Sequence, residues 1–74
     1  MIAECKVSTV EGELFRLEVG GSVSMPIGRL QTACHWEIDF ESRQVIKKPP
    51  QVGDRVLAYF DGEGFSRGAI IGLL

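Results

Sequence analysis

Apolar residues recur at every second position along most of this 74-residue chain, and almost no eleven-residue window escapes a glycine, a proline or a β-branched residue that breaks a helical i, i+3, i+4, i+7 stripe. A period of two sends side chains alternately to the two faces of a strand, so the pattern calls for sheet. Ala3, Cys5, Val7 and Thr9 alternate with Glu4, Lys6, Ser8 and Val10, giving a first strand one mostly apolar and one mostly polar face. Glu11-Gly12-Glu13 reads as a turn. Phe15, Leu17 and Val19 then alternate with Arg16 and Glu18 from Leu14 to Val19, which predicts a β-hairpin closed off by a second turn at Gly20-Gly21-Ser22.

Val23, Met25 and Ile27 share a face of a short third strand, where Pro26 marks an edge or an end because proline cannot donate to a ladder. Residues 28–33 read as a loop or one helical turn, and pattern determines residues 28–48 least. Within that stretch Trp36, Ile38 and Phe40 alternate with charged residues, predicting a fourth strand over His35 to Phe40. Glu41-Ser42 turns the chain into Arg43 to Lys48, and Pro49-Pro50 stops regular structure. Gln51-Val52-Gly53-Asp54 reads as a turn, Arg55 to Phe60 as a strand, Asp61-Gly62-Glu63-Gly64 as a tight connection and Phe65 to Leu73 as the closing strand. Val56, Ala58 and Phe60 face one side of that strand with Leu57 and Tyr59 on the other, and apolarity on both sides predicts cover on both, as in a sheet curled on itself. Gly53, Gly62, Gly64, Gly68 and Gly72 suit turns and tightly bent strands that exclude a Cβ. The fold class predicted is all-β, a small closed or partly closed barrel of five or six strands; two-layer sandwiches usually need about 100 residues.

A chain of this length supports one domain, residues 1–74, and buries only about 60% of the surface its unfolded form exposes. A deep catalytic cleft is not expected, and no enzyme activity is expected with it. The 45% apolar and 24% charged fractions and the net charge of -2 exclude disordered, collagenous and membrane classes. Cys5 and Cys34 lack the CxxC spacing of metal knuckles and redox sites, and read as small buried apolar residues. Met1-Ile2-Ala3-Glu4-Cys5 has neither a basic region nor an apolar core of a signal peptide, so a bacterial cytoplasm is the expected compartment. The longest apolar run, Gly68 to Leu74, falls far short of the roughly 18 residues of a membrane helix, and no membrane association is expected.

Five elements occur in a telling order: Val7-Ser8-Thr9-Val10-Glu11-Gly12 before Phe15-Arg16-Leu17; Gly20-Gly21-Ser22-Val23-Ser24-Met25-Pro26; Pro50-Gln51-Val52-Gly53-Asp54-Arg55-Val56-Leu57; Asp61-Gly62-Glu63-Gly64; and Arg67-Gly68-Ala69-Ile70-Ile71-Gly72-Leu73-Leu74. This order resembles the OB-fold domain of phage baseplate assembly protein V and related tail-spike proteins of contractile injection systems. Residues 33–48 have little counterpart there. The resemblance implies a five- to six-stranded OB-like barrel serving as a phage or prophage tail or baseplate component through protein-protein contact. Spike proteins of that family continue into a long trimerising β-helical needle, whereas this sequence ends at Leu74. A lone barrel is therefore expected: an adaptor, a morphogenetic helper or a prophage relic, built into a phage-tail-like particle. Hydrogenase-maturation chaperones share the Gly-Gly turn and the Val-Gly-Asp-x-Val-Leu strand, but depend on a cysteine where Ile2 stands here.

Aromatic residues and methionine dominate interface cores, so Met25, Trp36, Phe40, Tyr59 and Phe65 are the candidate partner surface, for a protein partner or for self-association. A 74-residue chain needs large side chains in its core, and at least three of the five are expected to be buried. The alternative is single-stranded nucleic acid, stacked on Trp36, Phe40, Tyr59, Phe60 and Phe65 beside a basic patch at Arg43, Lys47, Lys48, Arg55 and Arg67, with Arg29 as a further cation. Ten acidic residues against eight basic weigh against it, because phosphate binding draws on net electrostatic attraction. Asp61-Gly62-Glu63-Gly64 lacks the GxxxxGK[ST] pattern and its carboxylates repel phosphate. Cys34, His35 and Cys5 are donor types for zinc and for a Cys-His nucleophile pair, but neighbours on a strand point to opposite faces. No cofactor or metal is expected.

Overall fold

Two antiparallel strands form where alternation is cleanest: β1 (Ile2–Glu11) pairs with β2 (Leu14–Val19) from Lys6↔Glu18 to Glu11↔Leu14. This computed structural model describes residues 1–62 and 64–74. A bulge between Val7 and Thr9 interrupts that register, and bulges bend a strand. One long strand can thus serve two neighbours, because the first half of β1 pairs instead with β7 (Arg55–Phe60), from Ile2↔Tyr59 to Lys6↔Arg55. β7 in turn pairs antiparallel with β8 (Gly68–Leu73).

The segment between the two hairpins connects their outer edges. β3 (Ser22–Val23) pairs with β2, and β4 (Gly28–Arg29) lies parallel to β8, so the order across the sheet is β3-β2-β1-β7-β8-β4. Between β3 and β4, Phe15 and Ile27 exchange backbone hydrogen bonds of 2.8 and 2.9 Å. The six-stranded sheet therefore curls until β2 meets the chain that runs into β4. Its concave side holds the core: Cys5 and Val7 from β1, Phe15 and Leu17 from β2, Val56, Ala58 and Phe60 from β7, Ile70 from β8, with Ile27 and Ala33 from the connecting segments. The fold is all-β and barrel-like, as predicted. A separate two-stranded ribbon, β5 (His35–Asp39) with β6 (Gln44–Lys48), follows β4. No helix long and apolar enough to cross a membrane occurs among the described residues.

Four expectations are corrected. Val23, Met25 and Ile27 do not share a face: Val23 and Met25 are exposed, and Ser24 takes the buried position between them. Its hydroxyl accepts the Leu17 N–H at 2.9 Å and donates to the Met25 carbonyl at 2.9 Å, so local side-chain bonding replaces the regular ladder there. The outer face of β7 is not covered, since Leu57 is half-buried and Tyr59 exposed. Phe65 does not begin the last strand; it sits in a turn at φ 53° and meets Phe60 edge-on, with ring centroids 5.0 Å apart. Residues 28–33 are not loop or helical turn throughout: Gly28–Arg29 form β4, and only residues 31–33 take the loop reading, in turns and a bend. Of the predicted connection over residues 61–64, Glu63 lies outside the described residues.

Two glycines separate space from habit. A Cβ on Gly68 would collide with the carbonyl oxygen of Tyr59 and press on the Phe60 ring, whereas a Cβ on Gly72 meets nothing, contrary to the expectation of a crowded strand there. Gly68→Ala should cost about 1–3 kcal/mol in urea unfolding, with Gly72→Ala within about 0.5 kcal/mol of the parent. Equal effects would refute this crowding. Ser24→Ala leaves a buried Leu17 N–H without its acceptor and should cost about 1–3 kcal/mol in the same assay.

Candidate functional site

β5 and β6 pair antiparallel as His35↔Lys48, Trp36↔Lys47, Glu37↔Ile46, Ile38↔Val45 and Asp39↔Gln44. Directly paired residues lie on one face, and alternate pairs share it. Trp36, Ile38, Val45 and Lys47 therefore form one face, while His35, Glu37, Asp39, Gln44, Ile46 and Lys48 form the other. The first face is apolar apart from Lys47, whose Nζ lies 4.8 Å from the centre of the Trp36 ring.

The ribbon stands away from the sheet. Nine of its ten strand residues are exposed and Asp39 is half-exposed. The molecule measures 46 × 20 × 18 Å, and a five-residue hairpin with its turn supplies on the order of 20 Å of that length. Trp36 is 55% exposed, Ile38 64%, Val45 59%, and Phe40, at the turn, 85%. A two-stranded hairpin is marginal in water unless something packs on its apolar side. Contiguous bare apolar surface of this kind is uncommon on a folded monomer.

Both ends of the ribbon are fixed by carboxylates. At the tip, Asp39 Oδ1 accepts the backbone N–H groups of Glu41 at 3.0 Å and Ser42 at 3.4 Å, and Arg43 completes the turn at φ 56°. The Ser42 side chain, together with those two N–H groups, holds the Asp39 carboxyl below the ordinary range. At the base, His35 Nε2 lies 2.7 Å from Asp54 Oδ2, which also accepts the Gln51 N–H at 2.8 Å. The hydrogen bond from His35 chiefly, and that from Gln51, lower the Asp54 pKa. The Asp54 carbonyl meanwhile accepts the Val7 N–H at 2.9 Å, so this residue links the ribbon to β1. Pro50 is buried beside it.

The five predicted surface residues occupy three places. Trp36 and Phe40 lie on the ribbon; Met25 and Phe65 adjoin through a 3.1 Å backbone hydrogen bond; Tyr59 sits on the outer face of β7 between Ile2 and Ala69. The expectation that at least three would be buried fails, because four are exposed and Phe65 is half-buried. Phe15, Leu17, Phe60 and Ile70 fill the inward positions instead. Ile38 and Val45 were missed as surface residues, although Ile38 alternates with Trp36 and Phe40 in the sequence.

The basic residues do not gather into a groove. Lys47 and Lys48 are on opposite faces of the ribbon, Lys48 pairs with Glu37 at 3.0 Å, Arg67 with Asp61 at 3.5 Å, and Arg55 with Glu4. Arg43 is at the ribbon tip, and Arg29 donates to the carbonyls of Leu30 and Gln31. Among the described residues no three His, Cys, Asp or Glu side chains converge as metal ligands. Both cysteines are buried free thiols, and burial pushes the Cys5 pKa up. No protein-family model, curated protein or solved structure matches the chain.

Asp54 titrates lower in the folded chain than in the unfolded one, so its contribution to stability is complete above about pH 5. It is lost as pH falls through the ordinary carboxylate value of 3.8 and then through the lower folded one. Urea midpoints between pH 6 and 2 should fall less steeply for Asp54→Asn than for the parent; identical slopes would refute the His35–Asp54 tie.

Proposed function

We propose that this chain is an OB-type barrel that works without catalysis, as a protein-protein interaction module of a phage or prophage tail or baseplate. The observation that carries the reading is the bare apolar face of the β5–β6 ribbon, a surface suited to contact and held out from the body by its own turn and its His35–Asp54 base. The OB assignment is supported by strand order. Counting β3 and β4 as two halves of one interrupted strand, five strands follow one another around the sheet as β1, β2, β3/β4, β8 and β7, in keeping with a five-stranded Greek-key barrel. The two elements on which the baseplate resemblance mainly rests, residues 52–57 and 67–74, form the turn into β7 and the strand β8.

Nucleic acid is the less favoured partner, because four of the five cations proposed for it already face a carboxylate or the Trp36 ring. Amide shifts of labelled protein discriminate the two. Tail and baseplate proteins encoded beside this chain should produce saturable shifts at Trp36, Ile38, Phe40 and Val45, while mixed single-stranded DNA and RNA at low salt should produce none. Saturable, salt-sensitive shifts with oligonucleotides would overturn the reading, and so would silence with every such neighbour.

A further inference from the structure

The ribbon has two edges and two faces, and they are not equally guarded. β5 carries Glu37 and Asp39, and β6 carries Lys47 and Lys48. Pairing of β5 with β5 of another copy, or β6 with β6, would set like charges side by side, which disfavours those two edge pairings. The polar face has its own partners in the Lys48–Glu37 and His35–Asp54 pairs. On the face of Trp36, Ile38 and Val45 the apolar side chains are 55–64% exposed, against 39% for Ile46 on the other.

We propose that a second copy of this chain covers that face, ribbon against ribbon, in a dimer that forms and separates with concentration. The proposal rests on the protein-interaction reading and names its partner. Area supports it: Trp36, Ile38 and Val45, with Phe40 at the adjoining turn, present at most about 500 Å² per copy, since a large aromatic side chain offers roughly 150–250 Å². Two such faces bury at most about 1,000 Å² together, in the range of weak, reversible interfaces.

Shape and charge choose the arrangement. Stacked sheets lie about 10 Å apart, a spacing at which bodies about 20 × 18 Å in section would crowd each other side by side. The two ribbons therefore run in opposite directions about a two-fold axis across the strands, with one body at each end. Ile38 then lies over the partner's Ile38, and Trp36 lies towards the partner's Phe40. The cation of Lys47, the one charge on the strand face, is carried to the end opposite its counterpart.

Sedimentation equilibrium and isotope-filtered NMR test this on the intact chain. From about 5 μM to about 1 mM the weight-average mass should rise from one chain towards two, with NOEs between the Trp36 indole of labelled protein and the Phe40 ring of unlabelled protein. Ile38→Lys places two cations together at the two-fold axis and should weaken association at least tenfold, with the amide spectrum of β1, β2, β7 and β8 unchanged. A parent protein that stays one chain at about 1 mM, or an Ile38→Lys protein that associates as the parent does, would overturn the proposal. If the parent remains a single chain while a neighbouring tail protein shifts the ribbon, the self-pairing fails and the interaction reading stands. If the parent dimerises and no tail protein binds, the self-pairing stands and the tail reading fails.

Discussion

Two hydrogen bonds exchanged between Phe15 and Ile27 decide what kind of sheet this is. Without them the sheet would end in two strands of two residues each, β3 and β4, with β2 and β8 nearly bare along their outer edges. With them, the chain from Gly20 to Arg29 spans from one hairpin to the other and the sheet closes on a single core. The closure also needs bends, supplied by the bulges at Ser8 in β1 and at Ile71 in β8. Among the described residues no second layer lies across the core from this sheet, so the sheet is its own opposite wall. The buried residues of β1, β2, β7 and β8 all point to that one interior.

The β5–β6 ribbon obeys the same alternation and comes to the opposite result. Val56, Ala58 and Phe60 alternate on β7 and are fully buried, because the sheet curls round until β2 and the segment of Ile27 share the core with them; Trp36 and Ile38 alternate on β5 and remain bare. A side chain's period sets its face, and only the fold determines whether that face is covered. The ribbon is nonetheless well specified in geometry, pinned at the tip by Asp39 and at the base by Asp54. A defined shape with an uncovered apolar side is the combination on which the proposed contact role rests.

Much of the fold was legible from pattern alone. Both long hairpins, the turns at Gly12, Gly20-Gly21 and Gly53, and a strand from His35 follow from a period of two interrupted by residues that tolerate left-handed backbone, whereas β6 (Gln44–Lys48) has no clear alternation and is not predicted as a strand. The third strand was misread because Ser24 satisfies the Leu17 N–H with its hydroxyl, which inverts the burial of its neighbours in a way that no hydrophobicity pattern records. Leu57 and Tyr59 looked like evidence of a second covering layer, yet Tyr59 merely flanks Ile2 and Ala69 on the outside. The site was half visible. Trp36 and Phe40 were identified by residue type, but Val45 acquires its role only through pairing with Ile38 across a turn, and Met25, Tyr59 and Phe65 were grouped with them by chemistry although the fold separates them.

The proposed role of the ribbon depends on its apolar face standing clear of the chain's own core. A nuclear Overhauser spectrum of the protein at about 5 μM or below, where copies of a weak dimer are apart, addresses that directly. The indole of Trp36 should show contacts to Ile38, Val45 and Lys47 and none to the methyl groups of Val56 or Ile70. Contacts from the indole to those core methyl groups would mean that the ribbon folds back onto the sheet, leaving no free face and contradicting the interaction surface described above.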